Sequence, residues 1–235
     1  MTLKRKKEED SVVGLTEIEQ PFKTNLVNAS FLVVSSLPPS VEMPSASSPS
    51  RRLSIHAHPT PIRVSYSTVS AIVPEIMEEF AQKHNGRQPD LILHTGIAPP
   101  RNYYSVETRA HRDAYNEPDI DGRMAYEDGE KVWKELNLPP MLVPMSKSMD
   151  EFLDVWKSYA PAGTDLRISH DAGRYSCEFI YYTSLALAEL QGRDHNVMFF
   201  HLPPSYQEED IELGRKTALA LIKTLVTCWI DREKP

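Results

Sequence analysis

Three side chains in this sequence are of the types that acyl-transfer chemistry uses: the thiol of Cys177, the imidazole of His201 and the carboxylate of Glu107. Cys177 lies in the stretch HDAGRYSCEFIYYTSL, in the first turn of an expected helix and just after the turn Asp171-Ala172-Gly173. A helix start leaves backbone N–H groups without intrahelical partners and carries the positive end of the helix dipole, so both favour a thiolate of lowered pKa. His201 follows four apolar residues and stands just before Pro203 and Pro204, where a buried strand emerges. That is a reasonable place for a general base. Glu107 lies in the long segment after the strand DLILHTG, where an acid can orient an imidazole. Taken singly, each has a plainer reading: a buried thiol on an apolar helix face, a structural strand-end histidine, a solvated charge.

These residues need elements to hold them, and short apolar runs alternate with longer amphipathic ones, as in a layered α/β domain. Strands are expected over residues 53–59, 90–96, 165–169 and 196–202, and helices over 67–84, 148–160, 174–192 and 207–230. Ligands in such folds gather at the carboxyl ends of strands, which singles out the ends after His94, after Ser169 and at His201. Residues 1–20 read as a divergent, disordered N-terminal tail, and KRKK within them as solvated charge. Residues 21–232 read as one domain, interrupted by a Pro/Ser-rich surface loop over 38–52.

At 235 residues the chain is long enough for one well-filled core. The 26 Lys+Arg against 33 Asp+Glu leave a formal charge of -7 and no broad basic surface to follow a phosphate backbone, so nucleic acid is not expected as a partner. No apolar run approaches the roughly 20 residues that cross a bilayer, and MTLKRKKEED has no apolar secretory core. A cytoplasmic protein with no membrane partner is expected, its two cysteines kept as thiols.

The order of the motifs carries more than the residues do singly. DAGRYSCEFIYYTSL closely resembles the segment around the nucleophile of the pyroglutamyl peptidase I family, cysteine peptidases that remove an N-terminal pyroglutamate. MFFHLPP resembles the family's strand ending in histidine and Pro-Pro, and HTGIAPPRNYYSVETRAHRDAY its His-x-Gly strand end, loop and glutamate. PFKTNLVNASFLVVSSL and PIRVSYSTV match the earlier segments, in order. The resemblance implies a three-layer α/β/α fold with a mixed, largely parallel twisted sheet. It implies Cys177 as nucleophile, His201 as base and Glu107 as the group that orients it. It also implies that Phe22 packs on the substrate's lactam ring and that the loop at Ile97 offers a main-chain contact. Peptides with an N-terminal pyroglutamate would be the partners, with no cofactor or metal; a homo-oligomeric assembly is left open.

The sequence departs from the family before Pro21, where Ile18, Glu19 and Gln20 stand in place of Gly, Phe and a variable residue, so one ring-packing phenylalanine is missing. The segment SVVGLTEIEQ ahead of it is a poor central strand, because Gly14 interrupts its apolar cluster. Either it forms the first strand in a shifted register or unrelated sequence replaces that strand. Pro99 and Pro100 stand where relatives have small residues and glycines, and Arg63 where proline is usual. These departures leave two other readings: an impaired relative that binds peptide ends, and a cysteine hydrolase acting on another small acyl group. His56 and His58 share a strand face at a metal-binding spacing but lack a third ligand nearby, so strand alternation explains them better. Cys228 reads as a buried apolar residue, His170 as a turn histidine beside the site, and RRLS at 51–54 as a chance basophilic motif in an exposed loop. Asp119 matches a family acid in a loose register.

Overall fold

Seven strands, most of them parallel, form one sheet whose two apolar faces are each covered by helices. The computed structural model describes residues 10–16, 28–43, 51–144 and 149–230. In chain order these form β1 (Asp10–Thr16), α1 (Ala29–Ser35), β2 (Ser40–Met43), β3 (Arg51–Ala57), α2 (Tyr66–Lys83), β4 (Leu91–Ile97), β5 (Tyr104–Glu107) and β6 (Ala110–His111). A π-helical turn (Tyr126–Glu130) leads into α3 (Lys131–Glu135), followed by β7 (Met141–Leu142), α4 (Met149–Tyr159) and β8 (Leu166–Ser169). The chain continues with α5 (Ser176–Leu190), β9 (Val197–Leu202), α6 (Glu208–Leu225) and a second π-helical turn (Val226–Ile230).

The sheet order is β2-β3-β1-β4-β9-β5-β8, with β6 and β7 forming a separate two-stranded ribbon. The pairs β1–β3, β1–β4, β4–β9 and β5–β8 are parallel, whereas β2–β3 and β5–β9 are antiparallel. The expected three-layer α/β/α fold with a mixed, largely parallel sheet is therefore observed. On one face Leu93, Val106 and Phe200 pack with Phe152 and Trp156 of α4 and with α6. On the other, Ile92 and Phe199 pack with α2, α3 and α5. Both β4 and β9 are buried along their whole length, as strands covered on both faces must be. Each fully buried Leu, Phe or Ile contributes about 1.5–3 kcal/mol relative to exposure.

The sequence reading and the structure differ in three places. Of the two alternatives for the segment ahead of Pro21 the strand is the one observed: residues 10–16, read as part of a disordered tail, form β1, paired in parallel with β3 and β4 on either side. Ladder pairing uses main-chain groups, so Gly14 sits opposite Ala57 and Leu93 and does not interrupt the strand. Within the Pro/Ser-rich loop, Ser40–Met43 form the edge strand β2, in which Val41 and Met43 pack on the core and Glu42 is exposed. That period of two was hidden by the surrounding composition. RRLS is not an exposed loop either, since it opens β3 between two neighbouring strands and Leu53 is fully buried. Among the described residues no helix is long and apolar enough to cross a membrane.

Candidate active site

Cys177 is the second residue of α5 and is half-buried. The turn before the helix is set by Gly173, whose φ of +80° is a conformation open to glycine at no steric cost. The Gly173 N–H donates to Asp171 Oδ1 at 3.0 Å, and the Tyr175 N–H donates back to the Gly173 carbonyl at 2.8 Å. From this start α5 crosses one face of the sheet, apolar around nearly its whole circumference and buried from Ser176 to Ala186 except at Cys177 itself.

The sheet register fixes what lies under the helix start. Gly96 of β4 is level with His201 of β9, which is level with Ser105 of β5. Two residues along, His94, Phe199 and Glu107 form a second row. Residues level with one another in a sheet project on the same face, so the imidazole and the carboxylate belong to the face that α5 covers. A Cβ built on Gly96 would lie 3.2 Å from Cys177 Sγ and 3.0 Å from Phe199 Cζ, so the thiol rests directly over this glycine, one strand from His201. We expect Gly96→Ala to crowd both the thiol and the buried Phe199 ring, lowering kcat/KM about tenfold and stability by about 1–3 kcal/mol. Steady-state kinetics beside a melting curve checks this.

His201 Nδ1 lies 2.7 Å from Glu107 Oε1, and both side chains are buried, at 4% and 0% exposure. A carboxylate only accepts hydrogen bonds, so Nδ1 carries the proton and Nε2 presents a lone pair. Burial lowers the His201 pKa against the opposing pull of Glu107, and the imidazole is neutral at pH 7. Burial pushes the Glu107 carboxyl up, but hydrogen bonds and charge from His201, Ser169 and Arg101 outweigh it and hold the group ionised. The Tyr181 hydroxyl of α5 donates to the Glu107 carbonyl at 2.9 Å.

Glu107 was expected in the long segment after the strand DLILHTG, and there it closes a short strand, β5, which runs against β9. For the same reason the end of β8 at Ser169 is level with Glu107 and Phe199, away from the edge where β4 and β9 end. The site is thus built partly from strand ends and partly from the middle of the sheet. Ile97 is the last residue of β4, level with Leu202, and its side chain packs with Ala29 and Val64. Phe22 lies outside the described residues.

Sequence reasoning missed two charged groups beside these residues. Arg101 donates to Glu107 Oε1 at 2.6 Å, and nothing in its sequence setting announced it. Glu178, next to the thiol and fully buried, takes Arg174 Nη1 at 2.5 Å and both the backbone and ring N–H of His111. The Arg174–Glu178 spacing of four on a helix start was a readable signal. Burial raises the Glu178 pKa even so. Asp119 accepts from the backbone N–H groups of Tyr66, Asp121 and Arg123, so it closes a loop at the start of α2. His170 is exposed and pairs with the Thr108 hydroxyl, while Cys228 is 2% exposed within the core. His56 packs edge-on against Phe80 and His84, and His58 contacts the Thr60 carbonyl, so neither serves a joint site. Among the described residues no three His, Cys, Asp or Glu are grouped to hold a metal ion.

A three-layer α/β/α domain that brings a helix-start thiol, a neutral imidazole and an ionised carboxylate to one sheet face has the constitution of a cysteine hydrolase. Comparison with known proteins narrows this class. The family model described as pyroglutamyl peptidase matches residues 60–228. The pyroglutamyl-peptidase 1 of Mus musculus and that of Homo sapiens are each 30% identical to this chain over 198 residues, covering 78% of this chain and 75% of theirs. Among solved structures, the pyrrolidone carboxyl peptidase from Thermococcus litoralis superposes with a TM-score of 0.67 at 16% identity, covering 94% of both chains. The chain belongs to the pyroglutamyl peptidase family and is a hydrolase of the cysteine omega-peptidase type.

Proposed function

We propose that the protein hydrolyses the amide bond after an N-terminal pyroglutamate, with Cys177 as nucleophile, His201 as general base and acid, and Glu107 orienting His201. The observation that carries the reading is the 2.7 Å contact between His201 Nδ1 and Glu107 Oε1, on the strand position level with the glycine beneath the thiol. The tautomer it sets turns the Nε2 lone pair into the acceptor of the Cys177 proton.

The thiolate attacks the pyroglutamyl carbonyl carbon and the C=O electron pair moves onto oxygen. N–H groups at the start of α5 stabilise that oxyanion. Collapse breaks the C–N bond, His201 returns its proton to the leaving amine, and a thioester remains on Cys177. Water, deprotonated by His201, then attacks the thioester and releases pyroglutamate and the thiol. In this reading Phe22 packs on the lactam ring and the main chain at Ile97 bonds its polar edge, a small apolar pocket with few polar groups. The protein works in the cytoplasm on peptides with a blocked N-terminus.

The test is release of fluorophore from a pyroglutamyl amide, measured beside Cys177→Ser. Thiol-dependent release lost in the variant supports the reading. No release by well-folded wild-type protein sinks it, and faster cleavage of an alanyl or prolyl amide moves the specificity to another acyl group.

A further inference from the structure

Between β4 and β5 the chain makes a tight turn closed by the Arg101 N–H donating to the Ala98 carbonyl at 2.8 Å. Its two central residues are Pro99 and Pro100, whose rings fix φ and stiffen the turn. The side chain that leaves this turn reaches three acceptors. Arg101 Nη1 donates to Glu107 Oε1 at 2.6 Å and to Ser105 Oγ at 2.8 Å, and Nη2 donates to the Asp171 carbonyl at 2.8 Å. Asp171 belongs to the turn ahead of α5, and Oε1 is the same carboxylate oxygen that holds His201 Nδ1. We propose that Arg101 is a positioning residue, which holds the Glu107 carboxylate on His201 and ties that pair to the turn presenting Cys177. The inference rests on the catalytic roles proposed above for these three residues.

The chemistry of the group suits the task. A guanidinium presents a rigid fork of donors, so it can bridge two elements in one fixed geometry, whereas an ammonium is a point charge on a flexible stem. The Arg101 side chain is only 19% exposed and Glu107 is fully buried, so solvent and salt screen the pair weakly. Its positive charge also divides the pull of Glu107. Without it the carboxylate acts undivided on His201 and favours the imidazolium, which cannot accept the thiol proton. Among the described residues, titratable groups near the pair include Cys177 and Tyr181 from α5, His94 from β4 and Tyr103, whose ring centre lies 5.9 Å from the Arg101 guanidinium. Of these, His94 is held neutral by burial.

The experiment follows the His201 ring by NMR through a pH titration, with the signal assigned by His201→Asn, in wild type, Arg101→Gln and Arg101→Lys. The same proteins give pH profiles of kcat/KM on the pyroglutamyl amide. We expect Arg101→Gln to raise the His201 pKa by about one unit. The acid limb should move by the same amount, with kcat falling more than KM changes. Arg101→Lys should keep the wild-type titration and still lose about tenfold in kcat, because the tie to Asp171 is cut. A folded Arg101→Gln protein with an unchanged His201 titration overturns the proposal. If that variant does not fold, Arg101→Lys decides, and full kcat there overturns it. The NMR readout needs no turnover, so failure of the wild type to cleave the amide would count against the peptidase reading while the titration still judges Arg101.

Discussion

Replacing His201 with alanine is expected to lower kcat/KM on a pyroglutamyl amide by about a thousandfold, within the usual range for removal of a positioned general acid and base. The size follows from the lack of a substitute. Glu107 is the neighbouring acceptor, but a carboxylate paired with Arg101 is far too weak a base to hold the proton of a thiol near neutral pH. The fold should survive, because the Glu107 carboxylate keeps the Arg101 ion pair and is not left buried alone. Kinetics at saturating and limiting amide, beside a thermal melt, separates the two effects. A loss of less than tenfold in a folded variant would remove His201 from the reaction.

The second large effect is on stability in acid. His94 is fully buried, its Nε2 lies 2.8 Å from the Ser184 hydroxyl, and burial lowers its pKa from 6.5 to about 3. A histidine whose folded pKa is depressed contributes stability that is fully present above its unfolded value near 6.5. That contribution is lost as pH falls toward 3, because only the unfolded chain takes up the proton. At about 1.4 kcal/mol per pH unit, His94 alone should account for roughly 2 kcal/mol of stability lost between pH 6.5 and 5. His201 acts in the same direction and window, and the lowered Glu107 adds to it only at more acid pH. Glu178, raised by burial, works the other way. These contributions are shared by wild type and His94→Gln, so their difference isolates His94. Denaturant melts of both proteins at pH 7, 6 and 5 should show a shallower decline in the variant, and parallel declines would refute the assignment.

Much of this architecture was legible because long segments carry strong patterns. The helices over 67–84, 148–160 and 174–192 and the strands over 90–96 and 196–202 appear within a residue or two of their expected bounds. What escaped was short or masked. Strand β5 is four residues long, too short for a period of two to stand out, so Glu107 read only as part of the long segment after β4. Strand β1 carries a central glycine, and β2 is embedded in Pro/Ser-rich sequence. Strand direction is not written in a pattern of two at all, which is why the reversal of β5 and β8 relative to β9 was not foreseen. Arg101 escaped for another reason. A charged residue in a loop gives no sign of pointing inward until the three elements it joins are in place.

The helix that carries Cys177 is enclosed on every side, by the sheet beneath and by α2, the first π-helical turn and α3 around it. A thiol mounted at the tip of such a helix has almost no room to drift. Moving it by half an ångström would mean repacking Phe179, Tyr181 and Tyr182, each with no exposed surface. Under the proposed roles, substitutions that reshape the substrate range would fall in the segments in front of the thiol, and of these the turn at Pro99 and Pro100 is coupled to Glu107 through Arg101.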